Sequence, residues 1–225
     1  MKIQIPTQYN NAVLTDEMAK ELVNELDKIL AMFFEIIEGM CINLEQIYKL
    51  NEKEKLNIST IQLETALFTA YVYNDSAILL KFFIISKNYY EKSLFRGKLQ
   101  VLLNEGFKKL YHFKEDKRKE SLLSQLGLLV RFFPEYLDEY KQVVADLEEI
   151  SKQDTWWKEE RDAEVHLDVY KLHKSRKEPI NESKVAIETI SFIYILQNIN
   201  DFSMRINQSY IDRMDLNIKS QDKTE

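Results

Sequence analysis

The chain has 225 residues, a formal net charge of −6, 45% apolar residues and 30% charged ones. That balance belongs to a chain that buries a core; it excludes a disordered tract and a generally basic, nucleic-acid-coating surface, and leaves room only for local basic patches. Four glycines and three prolines cannot supply the turns that a strand-rich fold needs every 8–12 residues or so. The sequence therefore predicts an all-α fold, a single helical bundle of about eight helices with a long N-terminal helix.

Residues 1–14 lack a helical period, contain Pro6 and read as an extended arm. No apolar leader is visible there, and the single cysteine, Cys41, excludes an intrachain disulfide framework, so a cytoplasmic protein is expected. Thr15 has the character of an N-cap, with Asp16 and Glu17 at the positive end of the helix it opens. From Met18 through Leu22, Leu26, Ile29, Phe33, Ile37, Met40 and Leu44 to Ile47, apolar residues return every three or four positions on one long helix. Gly39 is its weak point, where a kink or split is expected. Cys41 falls on the apolar face and reads as a small core residue.

Asn51–Asn57 reads as a charged connection, and Ser59–Gln62 has capping-box spacing for a second helix. Thr65–Ile85 is apolar but interrupted by Asn74-Asp75-Ser76 and Lys81. It is read as two buried helices meeting at a turn, the second running to about Tyr90, and not as a membrane span. A further helix is expected over Leu94–Leu110 and a solvated basic turn over Phe107–Glu120. Ser121–Phe133 is a short helix, and Pro134 suits the first turn of the next, which runs to about Ser151 with Tyr136, Leu137, Tyr140, Val144 and Leu147 inward.

Asp154 or Thr155 is expected to cap a helix reaching about Ser175. Pro179 closes the following connection, and Asn181 caps the last long helix, with Ile180 and Val185 as a hydrophobic staple. Ile187–Phe202 is apolar on nearly every side, which places this helix at the centre of the bundle. The domain is expected to span 15–210, with 211–225 a polar tail. The chain contains no glycine-rich phosphate loop, CxxC pair or GxSxG elbow.

One stretch combines a ring that titrates near neutral pH with a fixed cation: Trp156-Trp157-Lys158-Glu159-Glu160-Arg161-Asp162-Ala163-Glu164-Val165-His166. If the stretch is helical, Arg161 and His166 lie about 140° apart around the axis and roughly 7.5 Å along it, so a second helix or subunit must close over them to make a site. Asp162, four residues before His166, shares its face and can hold one ring nitrogen. A histidine can take the proton of a ribose 2′-hydroxyl, and an arginine fork suits the charge that develops on phosphate.

Arg161-Asp162-Ala163-Glu164-Val165-His166 resembles the Arg-x(4–6)-His motif of the HEPN superfamily, and Asp162 suits the small polar residue that follows the arginine there. The resemblance covers roughly Ser151–Ile206, with the motif on a late helix and an apolar helix behind it. It implies metal-independent RNA cleavage or RNA binding by a homodimer without cofactors, in a toxin–antitoxin or phage-defence setting with an antitoxin or other regulatory partner. On this reading Arg161, Asp162 and His166 form the catalytic set. Lys158, Lys171, Lys108 and Lys109 would add weak RNA contacts, and Trp156 and Trp157 divide between core and interface. The competing expectation is a non-catalytic helical interaction module, for which these charges are a solvated helix face. A metal stripe of Glu159, Asp162, His166 and His173 lacks the paired Glu-x-x-His of di-iron bundles, and no metal site is expected.

Overall fold

The computed structural model describes residues 15–55, 57–112, 114–152, 165–166 and 168–221. Among them are eight α-helices and no strand: α1 Asp16–Glu54, α2 Ile61–Ile85, α3 Tyr89–Leu110, α4 Glu115–Arg118, α5 Leu122–Val130, α6 Leu137–Lys152, α7 Val169–Lys177 and α8 Glu182–Gln221. The protein is an all-α helical bundle, as its composition predicts. The arm at 1–14, the Trp156-Trp157 pair and the residues Lys158, Arg161 and Asp162 lie outside the described residues.

Thr15 caps α1, its hydroxyl accepting the Met18 N–H at 3.3 Å. The helix runs unbroken through Gly39 for 39 residues, so it is not split there. It also extends through Asn51, where a connection was expected, and stops at Lys55 in the left-handed region. The predicted stripe faces inward: Leu26, Ile37 and Met40 are buried, and Leu22, Ile29, Phe33, Leu44 and Ile47 pack against the core. Cys41 departs from expectation, being half-buried with its sulfur 3.4 Å from the Tyr71 hydroxyl.

α2 is one helix of 25 residues, not two. Asn74-Asp75-Ser76 does not end it, because Ser76 is fully buried and turns its hydroxyl back onto the Val72 carbonyl at 2.6 Å. The hydroxyl is thereby satisfied inside the helix, while Val72, Tyr73, Ala77 and Leu80 on either side of it bury in the core. The helix ends instead at Ser86, and Asn88 caps α3 by accepting the Tyr90 N–H at 2.7 Å, so α3 begins five residues before the expected Leu94. α2 is the one helix among the described residues long and apolar enough to cross a membrane, but 44% of its apolar window is buried within the protein. It lies against α1, α3, α5 and α8, the position of a core helix.

The expected basic turn is partly structured. α3 carries Phe107 and Leu110 fully buried, and α4 adds a single turn. Ser121 caps α5. Pro134 opens a 3₁₀ turn, Pro134–Tyr136, that leads into α6. α6 buries Val143, Leu147 and Ile150, whereas Leu137, expected inside, is exposed.

Asn181 caps α8, accepting the Lys184 N–H at 3.0 Å. Ile180 packs against the core and Val185 is buried within it. From Val185 to Asn200 no residue of α8 is exposed, which is the central position its composition predicts. α8 lies antiparallel to α2: the Asn200 amide donates to the Ala66 carbonyl at 2.6 Å, and the Tyr210 hydroxyl accepts the Ser59 N–H at 3.3 Å. The helix continues beyond 210 to Gln221.

Candidate functional site

The described part of the candidate stretch begins at Val165, which is helical, and His166, which lies in a turn. Both are exposed. Asp168 is not helical. Its carboxylate accepts the Lys171 N–H at 3.1 Å and its carbonyl accepts the Leu172 N–H at 2.8 Å, so it is the N-cap of a new helix, α7. The expectation of one helix running to about Ser175 is therefore corrected. His166 lies in a turn, Asp168 is non-helical, and a helix starts at Val169.

That break removes the stripe on which His166 and His173 would lie two turns apart, since the helical spacing does not carry across Asp168. Among the described residues no group of three His, Cys, Asp or Glu side chains is placed to hold a metal.

α7, Val-Tyr-Lys-Leu-His-Lys-Ser-Arg-Lys, contains Lys171, His173, Lys174, Arg176 and Lys177 and no carboxylate. Lys171 pairs with Asp168 at 3.6 Å across an exposed contact, a pair that contributes little once water screens it. Lys174, Lys177 and His173 are exposed. Val169 and Tyr170, at 78% and 79%, are the most exposed of the large apolar side chains among the described residues. The helix is docked on the start of α3. Arg176 donates to the Tyr90 hydroxyl at 2.8 Å with its guanidinium over the ring, and the Tyr89 hydroxyl donates to the Glu178 carbonyl.

His166, Lys171 and the remaining α7 cations are thus close in the chain at one end of α3. Lys108 and Lys109 are not part of that group, because they stand in the last turn of α3, about 27 Å along the helix from Tyr90. Lys108 pairs there with Glu105 at 2.9 Å. His112 has a local role, its Nδ1 accepting the Lys114 N–H at 3.1 Å while its backbone takes a left-handed φ of 71°.

The sequence reading missed α7 as an element and missed the tyrosines beside it. The signal was present: Asp168 is a capping residue type, and the nine residues after it contain no acid in a chain that is acidic overall.

Comparison of the chain with family models, with curated proteins and with solved structures gives no match. What the chain itself presents at this end of the bundle is a capped basic helix bearing an exposed tyrosine, preceded by an exposed histidine.

Proposed function

We propose that this chain binds RNA through α7 and the residues leading into it, and that it is a HEPN-like, metal-independent ribonuclease acting as a homodimer. One observation carries the binding reading: the cationic side chains of α7 stand on a helix without carboxylates, beside the exposed ring of Tyr170. Lysines and arginines release counterions from a phosphate backbone, and an exposed aromatic offers a stacking face to an unpaired base.

The cleavage reading adds His166, whose exposure leaves its ring open to a bound strand. The imidazole takes the 2′-hydroxyl proton, the 2′-oxygen attacks phosphorus, and the 5′-oxygen leaves with a proton, giving a 2′,3′-cyclic phosphate. Arg161 would clamp the phosphate and Asp162 would orient the ring. A regulatory protein partner such as an antitoxin belongs to the same proposal.

The test separates binding from cleavage. Single-stranded RNA is titrated with the wild type, Lys171→Glu and Lys174→Glu at several salt concentrations. Each variant is expected to bind several-fold more weakly and to lower the log–log salt slope by about one. Unchanged affinity in both variants rules out α7 as the contact. In chelator, the wild type is expected to yield 2′,3′-cyclic ends that vanish in His166→Ala; a wild type that binds but never cuts leaves a binding protein only.

A further inference from the structure

Along α2, Tyr71, Asp75, Ile78, Phe82 and Ile85 follow one another at intervals of 4, 3, 4 and 3 residues, and all five are exposed. The four apolar members are 46%, 38%, 43% and 48% exposed. A 4-3 spacing of apolar residues is the seam by which one helix packs along another. The opposite side of α2 is used in the core, and this seam is a second one whose members stay exposed among the described residues.

Both flanks of the seam are apolar. α1 runs antiparallel to α2, as the pairs Tyr48–Glu64, Cys41–Tyr71 and Asp27–Lys81 establish. The α1 members of those pairs lie seven or fourteen residues apart. Phe34 belongs to the same series, falls by this register beside Asp75 and Ile78, and is 72% exposed. On the other flank Phe95 of α3 stacks on Phe82, with ring centroids 5.5 Å apart.

Asp75 is the polar exception within the seam. Among the described residues it has no ion-pair partner, and burial against its neighbours pushes its carboxyl above the usual value. Glu38, one turn after Phe34 on α1, is exposed and likewise has no ion pair among the described residues. A lone charged residue in a helix seam fixes register and partner by demanding its complement opposite.

We propose that this face of α2 docks an amphipathic helix of another protein, which lays apolar side chains over Ile78, Phe82 and Ile85 and sets a lysine or arginine opposite Asp75. The seam from Tyr71 to Ile85 is about 21 Å long, which corresponds to about four turns of partner helix. A second copy of the same face fits less well. A two-fold antiparallel contact centred on Ile78 brings Asp75 level with Lys81 and Phe82 of the other copy, and that lysine is already paired with Asp27 of its own α1, so the carboxylate gains no free cation. A lipid surface fits less well for the same reason, since it would bury that carboxylate unpaired. This inference stands independently of RNA binding by α7.

The probes are two synthetic four-turn amphipathic peptides with leucine along the seam, one with lysine and one with glutamate at a single central seam position. Anisotropy titrations against the full chain are expected to show the lysine peptide binding about tenfold more tightly. Asp75→Lys should invert that preference, and Phe82→Glu should abolish binding of both peptides. Ile85→Lys serves as a second seam variant should Phe82→Glu lower the melting temperature. Equal affinity for the two peptides, or a preference unchanged in Asp75→Lys, overturns the proposal. So does concentration-dependent self-association that Phe82→Glu removes, or binding to phosphatidylcholine vesicles.

Discussion

Asp168 accepts the backbone N–H of Lys171 at 3.1 Å, and this bond starts α7 as a helix of its own. The Lys171 N–H, followed by desolvation acting in the opposite sense and by the Lys171 charge, holds the Asp168 carboxyl below its usual 3.8. A carboxylate whose folded-state value is lowered contributes its stabilisation above the unfolded-state value, and loses it as pH falls through the folded one. At neutral pH, Asp168→Ala is expected to speed amide exchange at Lys171 and Leu172, whereas Asp168→Asn, still a good cap, should preserve most of the protection. In the wild type, protection corrected for intrinsic exchange should decline below about pH 3.8. Equal exchange in Asp168→Ala and wild type would mean that the cap does not hold α7.

Two glycines predict opposite outcomes for the same substitution. Gly39 is mid-helix in α1, and an added Cβ meets nothing within 4 Å. Gly39→Ala is therefore expected to stabilise by about 0.5–1 kcal/mol, the helix-propensity difference. At Gly127 in α5 a Cβ would run into the Tyr140 hydroxyl and lie 2.6 Å from its ring Cζ. Tyr140 is held there by its hydrogen bond to the Leu123 carbonyl at 3.2 Å. Overpacking of about 1–3 kcal/mol outweighs the propensity gain, so Gly127→Ala should lower the melting temperature. Thermal melts of the two variants should bracket the wild type, and a Gly127→Ala melt above it would refute the close approach.

Tyr73 sets an alkaline limit. It is buried and stacked on Phe33 with ring centroids 4.6 Å apart, and burial, aided by the Asp201 charge, pushes its hydroxyl from 10.0 up to about 12. Because the folded value is raised, the stabilisation is complete below pH 10 and is lost as pH rises toward 12. Tyr73→Phe should therefore unfold at a higher pH than the wild type, by an amount reflecting up to about 3 kcal/mol of linkage. Base titration followed by circular dichroism checks it, and coincident alkaline midpoints would exclude Tyr73 as a contributor.

Much of the fold was legible because periodicity and caps are local signals. Thr15 and Asn181 act as caps where the sequence expects them, Ser121 caps the short helix expected to start there, and α1 buries the stripe its spacing marks. α3 was less legible. Ser93, Arg96, Gln100 and Asn104 are buried among Leu99, Leu103 and Phe107, so polar residues interrupt its inward face and its start does not stand out by hydropathy. At the candidate site, the positions of the cations and the capping character of Asp168 could be read from the chain, but not that this cap acts.

Asn74-Asp75-Ser76 and Asp168 show where sequence alone stops. Both contain residues that cap helices, and by local chemistry either could end one. In α2 the neighbours Val72, Tyr73, Ala77 and Leu80 bury against the rest of the bundle, so continuing the helix removes apolar surface from water and the capping tendency loses. Around Asp168 the neighbours Val165, Val169 and Tyr170 remain exposed, so no such burial opposes the cap, and it wins. Sequence by itself determined an all-α bundle, its long first and last helices, and which residues could cap. Tertiary packing decided which of those caps act, because only the bundle sets how much apolar surface an uninterrupted helix would bury.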